Sequence, residues 1–197
     1  MKQPILSLKP TQFALGQREV ARKVAKLKSM GRDERHEYVH SRPVPVVLSA
    51  RKHWHIVDHH HHARACWEAG LEELPIEIKA DLSHLPEMEF WDAMHKARWV
   101  HLLDQFGLGP HKPHLLPEDI RGLADDPYRS LAWTLRHAGA YEKSDLAFSE
   151  FKWADFLRKE IVIEPGDEGF KRALAAAEQV ARSPKAKDLP GFLPRKA

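Results

Sequence analysis

The chain has 197 residues, with 31 Lys and Arg against 28 Asp and Glu and a formal net charge of +3. That is enough for one compact domain, or for a small α/β unit with a helical extension, and a balance so nearly even does not demand nucleic acid as a partner. The single cysteine, Cys66, excludes an intramolecular disulfide framework and a clustered thiolate zinc site, which fits a reducing, cytoplasmic setting. Lys9-Pro10 interrupts the start before a signal-length apolar stretch develops, and no later apolar run approaches about 18 residues, so secretion and membrane spanning are not expected.

Ile5, Leu6 and Leu8, just ahead of Lys9-Pro10-Thr11, read as a short strand ending in a turn or helix cap. Val20, Lys23, Val24 and Leu27 share one face of a helix from Gln17 to Ser29, which Met30-Gly31 closes; Arg32 to His40 reads as a charged loop. Val44 to Leu48 is β-branched and apolar, Ser49 to His53 is polar, and Trp54 to Val57 is apolar again, which predicts strand, turn, strand. After Val57 the period changes. Asp58 and the run His59-His60-His61-His62 lead into Ala63 to Ala69, alanine-rich and closed by Gly70, so the histidines sit where a strand hands over to a helix. Leu74 to Ala80 alternates as one further strand.

Beyond Pro86 the pattern turns helical through Phe90, Trp91, Met94, Trp99, Val100, Leu102 and Leu103. Gly107 to Pro117 is a Gly/Pro/His loop, Pro117 to Leu123 a short helix, and Asp125-Asp126-Pro127 a cap ahead of a helix over Tyr128 to His137. Phe148 to Ile161, with acids early and Arg158-Lys159 late, suits a helix dipole, and Phe170 to Val180 is a further helical stretch. Ser183 to Ala197, rich in Lys and Pro, reads as a loose tail. The expected organisation is an α/β (α+β) domain over residues 1–85 with a small mixed sheet, a helical extension over 86–182, and a flexible tail over 183–197.

A strand feeding directly into a helix leaves backbone N–H groups unpaired at the helix start, and these favour an anion such as phosphate. Imidazoles at that place donate to phosphate oxygens, carry protons near neutral pH, or bind metal through a neutral nitrogen, and Arg64 adds a fixed charge. The run is interior, unlike a terminal affinity tag. Individual rings can equally serve only to pack or cap the helix. Asp58, His60 and His62 form a candidate set for a divalent metal if the segment stays extended, although adjacent helical positions diverge by about 100°. Asp125, Asp126 and Arg129 make a second constellation, with an aspartate ahead of Pro127 read first as an N-cap. Lys23 and Gln12 are weaker additions. The tryptophans recur at helical spacing as core candidates, no helix-turn-helix is evident, and the basic residues do not gather on one face, which argues against sequence-specific DNA binding.

Ile56 to Leu71, followed by Leu74-Pro75-Ile76-Glu77-Ile78, resembles the core of ParB-like domains, where a strand runs into a Gly-Glu-Arg-Arg-x-Arg-Ala box, a short helix and a Pro-led strand. On that pattern His59 to His62 occupy the Gly-Glu-Arg-Arg positions, and Arg64-Ala65 keep the closing pair. Pro10-Thr11-Gln12, Asp58-His59-His60 and Asp125 to Trp133, in that order, look more specifically like the branch called ParB-like nucleases, over residues 5 to about 160. The resemblance implies a ParB/sulfiredoxin-like fold with a phosphate at the box. In partition proteins that box binds a cytidine triphosphate, in sulfiredoxins it carries a catalytic cysteine, and other relatives phosphorylate free serine. The cysteine chemistry is disfavoured because Cys66 lies well down the following helix. The kinase chemistry is disfavoured because Gln12 stands where a catalytic Glu is expected, and an amide is no base.

These residues lead to the expectation of a hydrolase, a nuclease or nucleotide hydrolase acting on a phosphate ester. His60, His61, His62 and Arg64 would be catalytic, and His59, Arg64, Gln12 and Arg129 would hold phosphate. The alternative is a catalytically silent module that senses a nucleotide or docks a protein through the same pocket.

Overall fold

The structure, a computed structural model, describes residues 1–194. The chain divides into two compact units, one of Met1–Leu15 with Val20–Asp125, the other of Gly16–Glu19 with Asp126 onward. The first unit therefore extends well past residue 85, where the sequence suggested its end.

Its centre is a four-stranded mixed sheet of order β1-β5-β3-β4, built from β1 (Lys2–Pro4), β3 (Val44–Leu48), β4 (Trp54–Ile56) and β5 (Glu73–Asp81). Strands β3 and β4 are antiparallel, joined by the polar turn at Ser49 to His53, whereas β3 and β5 are parallel. A parallel pair needs a long crossover, and α3 (His60–Glu68) lies on it. The register of β3 on β5 slips between Val46 and Val47, which pair with Ile78 and Ala80, so Lys79 is the extra residue of a bulge.

Pro45 interrupts an internal strand without breaking it. Its carbonyl accepts from Val57 N at 3.0 Å, just past the end of the β4 ladder, so its missing N–H falls where the ladder has already finished.

Strand β3 is buried over its first four residues because both faces of the sheet are covered. On one face Val44 and Val46 pack with Ile56, Ile76, Leu74 and the Ala63, Ala65 and Cys66 side of α3, together with Val20 and Leu27 of α1 (Gln17–Ser29). On the other, Val47 meets Phe90 and Met94 of α4 (Glu87–Lys96) and Val100. That second cluster is the physical reason residues beyond 85 belong to the first unit.

Four local expectations are corrected. Ile5–Ser7 is a 3-10 turn rather than strand, with β1 lying just before it, because Ile5 and Leu8 turn inward to the core. Arg32–His40 is a helix, α2, rather than a loop; Asp33 and Glu34 at its start and His40 at its end match the dipole, although Tyr38 and Val39 give it little apolar periodicity. Helix α4 stops at Lys96, and His101 instead bridges to Gln12, with His101 N donating to Thr11 O. The stretch expected as a helix over Pro117 to Leu123 contains only the 3-10 turn Ile120–Gly122. The strands β2 (Ala14–Leu15) and β6 (Ala124–Asp125) form a short parallel ladder.

The second unit is helical: α5 (Pro127–His137), α6 (Ser149–Glu160) and α7 (Gly166–Ala181) enclose Leu131, Leu135, Trp153, Leu157 and Ala177. Trp153 stacks on Tyr141 with ring centroids 4.1 Å apart and donates from Nε1 to the Pro190 carbonyl at 2.8 Å. Residues after 183 are thus tied to the core, with Ala186 buried and Phe192 packed against it, and only 195–197 of the expected tail lie outside the described residues. Among the described residues no helix is long and apolar enough to cross a membrane.

Replacing Trp153 by Ala should cost ~3–5 kcal/mol, because it removes a buried indole and orphans the Pro190 carbonyl. Chemical unfolding monitored by circular dichroism measures this, and a loss below ~1 kcal/mol would refute the anchoring of the C-terminal segment through this ring.

Candidate functional site

The four histidines straddle the start of α3, and burial divides them into two kinds. His59 is the N-cap, in a left-handed conformation with φ 65°, and it is exposed. His60 and His62 are buried, whereas His61 is half-buried.

The left-handed turn at His59 is held from both sides. His59 N donates to Asp58 Oδ1 at 2.6 Å, and His59 Nδ1 lies 3.2 Å from the Pro43 carbonyl oxygen. A carbonyl only accepts, so this bond requires the proton on Nδ1 and leaves the lone pair on Nε2. No side chain caps α3, the condition under which a helix start favours an anion.

His60 spends the same lone pair internally. Its Nε2 accepts from Thr11 N at 3.1 Å, while the Thr11 hydroxyl donates to the Ile56 carbonyl at 2.6 Å. The ring thereby links the segment after Pro10 to the start of α3, and the Thr11 hydroxyl links it to the end of β4. Burial, with His61 and His59 adding and Asp58 opposing, takes its pKa down to about 3.

His62 faces the core side of α1 and α2. It lies 6.1 Å from the Tyr38 ring and 3.7 Å from Cys66 Sγ. Burial, followed by the charges of His59, Lys23 and Arg42, lowers it likewise to about 3. Burial also pushes the Cys66 thiol up to about 12, so this cysteine is a packed, neutral side chain.

Arg64 is committed to holding the unit together. Its Nε donates to Glu68 Oε1 at 2.6 Å, one helical turn on, and its Nη1 donates to the Ile120 carbonyl at 2.9 Å. Gln12 is buried and donates from Nε2 to the Ala14 carbonyl at 2.7 Å. Neither side chain presents the open donor array that a phosphate clamp needs.

The suggested metal set does not assemble. Among the described residues no three His, Cys, Asp or Glu are arranged to hold an ion, because Asp58 turns back to its neighbour's amide while His60 and His62 point into the core.

The second constellation has its own work within the helical unit. Asp126 caps α5, accepting from Tyr128 N at 2.9 Å, and pairs with Arg158 at 2.6 Å; burial raises its pKa against the pull of that guanidinium and of the Tyr128 and Arg129 amides. Arg129 is buried, pairs with Glu150 at 3.0 Å and lies 4.3 Å from the Phe151 ring centre. Asp125 belongs to the other unit, on β6, in register with Leu15.

What the sequence did not reveal is the basic and aromatic surround of the box. The guanidinium of Arg42 sits 4.0 Å and the ammonium of Lys26 4.6 Å from the Tyr38 ring centre, and Tyr38 in turn meets His62. Lys23, singled out from the sequence only as a charge on an apolar face, acts on both His62 and Cys66. The signal that could have found this surround was the helical charge order of residues 32–40.

The folded-state pKa of His60 and of His62 lies below the ordinary 6.5, so the unfolded chain takes up protons first. The stability they contribute is present above that value and is lost as the pH falls toward about 3. Urea unfolding between about pH 6 and about pH 5 should lose ~1.4 kcal/mol per pH unit for each ring, and His60→Gln should flatten that slope. Stability independent of pH across that interval would contradict the burial of these rings.

Comparison with known proteins matches residues 1–159 to the family described as "Putative ParB-like nuclease". Protein Atu1540 from Agrobacterium tumefaciens, known from its crystal structure, is similar at 37% identity with a TM-score of 0.90, over 100% of this chain and 98% of that one. The C-terminally truncated chromosome-partitioning protein ParB from Caulobacter crescentus, solved with the centromeric parS site, is 15% identical over 91% of this chain and 98% of that one. Its TM-score is 0.32, a level that supports no inference. No curated protein matches this sequence.

Proposed function

Because the chain belongs to the ParB-like nuclease family, we propose that it binds a nucleotide or nucleic-acid phosphate ester at the start of α3 and hydrolyses it with His59 as general base. The observation that carries this reading is the Pro43 carbonyl on His59 Nδ1, which leaves Nε2 of an exposed ring as the basic nitrogen.

The roles divide by burial. His59 Nε2 takes the proton from an attacking water, and the half-buried His61 is the candidate to return a proton to the leaving oxygen. Lys23 and Arg42, whose charges act on His62, supply the positive field with the uncapped helix start. His60 and His62 stay neutral and hold the turn in place. Arg64, at first a candidate for the charge stabiliser, positions α3 through Glu68 and Ile120.

A second reading has an observation of its own: two of the four rings are too deeply buried to take up a proton near neutral pH, and no three-ligand metal group exists among the described residues. That thin catalytic equipment suits a module that binds the phosphate without turning it over.

Hydrolysis of bis(p-nitrophenyl) phosphate, of nucleoside triphosphates and of single-stranded DNA, each with and without manganese, separates the two. His59→Ala should lower turnover by ~10²–10⁴-fold with a small fall in melting temperature, because it gives up the Pro43 contact and leaves alanine in a left-handed turn, and His60→Ala should lower the melting temperature further. Turnover insensitive to His59→Ala would remove the assignment of the base. Binding of a nucleoside triphosphate without turnover selects the second reading.

A further inference from the structure

The first unit contains a cavity of about 380 Å³ that the histidine box does not use, lined in part by His55, Phe90, Trp91 and Pro10. That volume lies in the ~300–1,000 Å³ range of small-molecule pockets. His55 is on β4, upstream of the box, and only 8% exposed. Its Nδ1 is buried with no hydrogen-bond partner in the protein. A buried polar atom left unpaired costs ~1–3 kcal/mol, and a strand residue in this position would pack at no such cost as phenylalanine.

The surround is aromatic. The Phe90 and Trp91 rings lie 4.9 and 5.3 Å from the imidazole, the second of them edge-on. Burial, with His53 and Lys9 adding, brings His55 down to about 4, so near neutral pH the ring is uncharged and offers one donor and one acceptor nitrogen.

The charges at the wall cancel locally. Lys9 is paired with Glu118, and Arg51 Nη2 is paired with Glu87 Oε2 at 2.9 Å, with all four residues among the lining. Two cations already neutralised by two carboxylates leave no net charge to offset the desolvation of a phosphate. A neutral ligand with a flat, polarisable face and a hydrogen-bonding edge matches what remains: stacking surface from the aromatic rings and an imidazole whose Nδ1 has no hydrogen-bond partner in the protein.

We propose that this cavity binds an uncharged planar nitrogen heterocycle of nucleobase type, presented as a free nucleoside, with His55 hydrogen-bonding the heterocycle and Trp91 packing against it. The site is separate in its residues from His59 and its surround, so it does not depend on the hydrolytic reading.

The test is titration of the full-length protein with adenosine, cytidine, guanosine and uridine in turn, followed by calorimetry and tryptophan fluorescence. At least one nucleoside should bind with 1:1 stoichiometry. Ala50→Trp, which fills the exposed rim of the cavity, and His55→Phe, which keeps the ring packing but removes the nitrogens, should each weaken that binding at least about tenfold. His55→Phe should also melt no lower than the parent protein, because it removes an orphaned buried nitrogen; a histidine with a purely structural role would show the opposite. His59→Ala should leave nucleoside affinity unchanged. The proposal is overturned if none of the four nucleosides binds at its solubility limit, if binding survives both cavity variants, or if it is lost in His59→Ala and so belongs to the box.

Discussion

The bond from Thr11 N to His60 Nε2 is the constraint on which the candidate site depends. It joins the segment that follows Pro10 to the first residue of α3, and the Thr11 hydroxyl fixes the same segment to the end of β4 through Ile56. The residues on either side inherit that geometry. Lys9 N donates to Trp54 O and Ile56 N to Lys9 O, so the segment runs along the outer edge of β4 and closes it. With His60 drawn inward, His59 takes the left-handed cap and turns its ring outward.

Burial, more than residue type, separates the roles of four chemically identical side chains. An imidazole held neutral by desolvation, as His60 and His62 are, acts as a shaped hydrogen-bonding group rather than as a proton carrier near neutral pH. An exposed imidazole whose Nδ1 is tied to a carbonyl is the opposite case, with one nitrogen fixed and the other basic. Where arginines would carry permanent charge, the four histidines carry none, and Arg64, which closes the box, is paired with Glu68. The positive field comes from neighbouring elements, with Lys23 and Lys26 on α1 and Arg42 just after α2, partly organised on the face of Tyr38.

Strands β3, β4 and β5 and the placement of the histidines at a strand-to-helix junction were legible in the sequence. Both follow from local patterns: β-branched runs at Val44 to Leu48 and Trp54 to Val57, a change of period after Val57, and Gly70 closing α3 at φ 87°. Asp126 as the cap of α5 was legible for the same reason, since an aspartate ahead of proline satisfies the helix start with its own side chain. Helix α2 was missed because it is stabilised by charge order rather than by an apolar stripe.

Tertiary structure alone decided which histidines face outward, that Arg64 is spent on Glu68 and Ile120, and that α4 belongs with the sheet. Each of these depends on a partner far away in the chain: Thr11 for His60, Ile120 for Arg64, Val47 for Phe90 and Met94. Local propensity sets the element, but the desolvation that makes an imidazole structural or reactive is set by what packs over it. That is a property of the assembled fold, which a linear pattern of four equal residues does not carry.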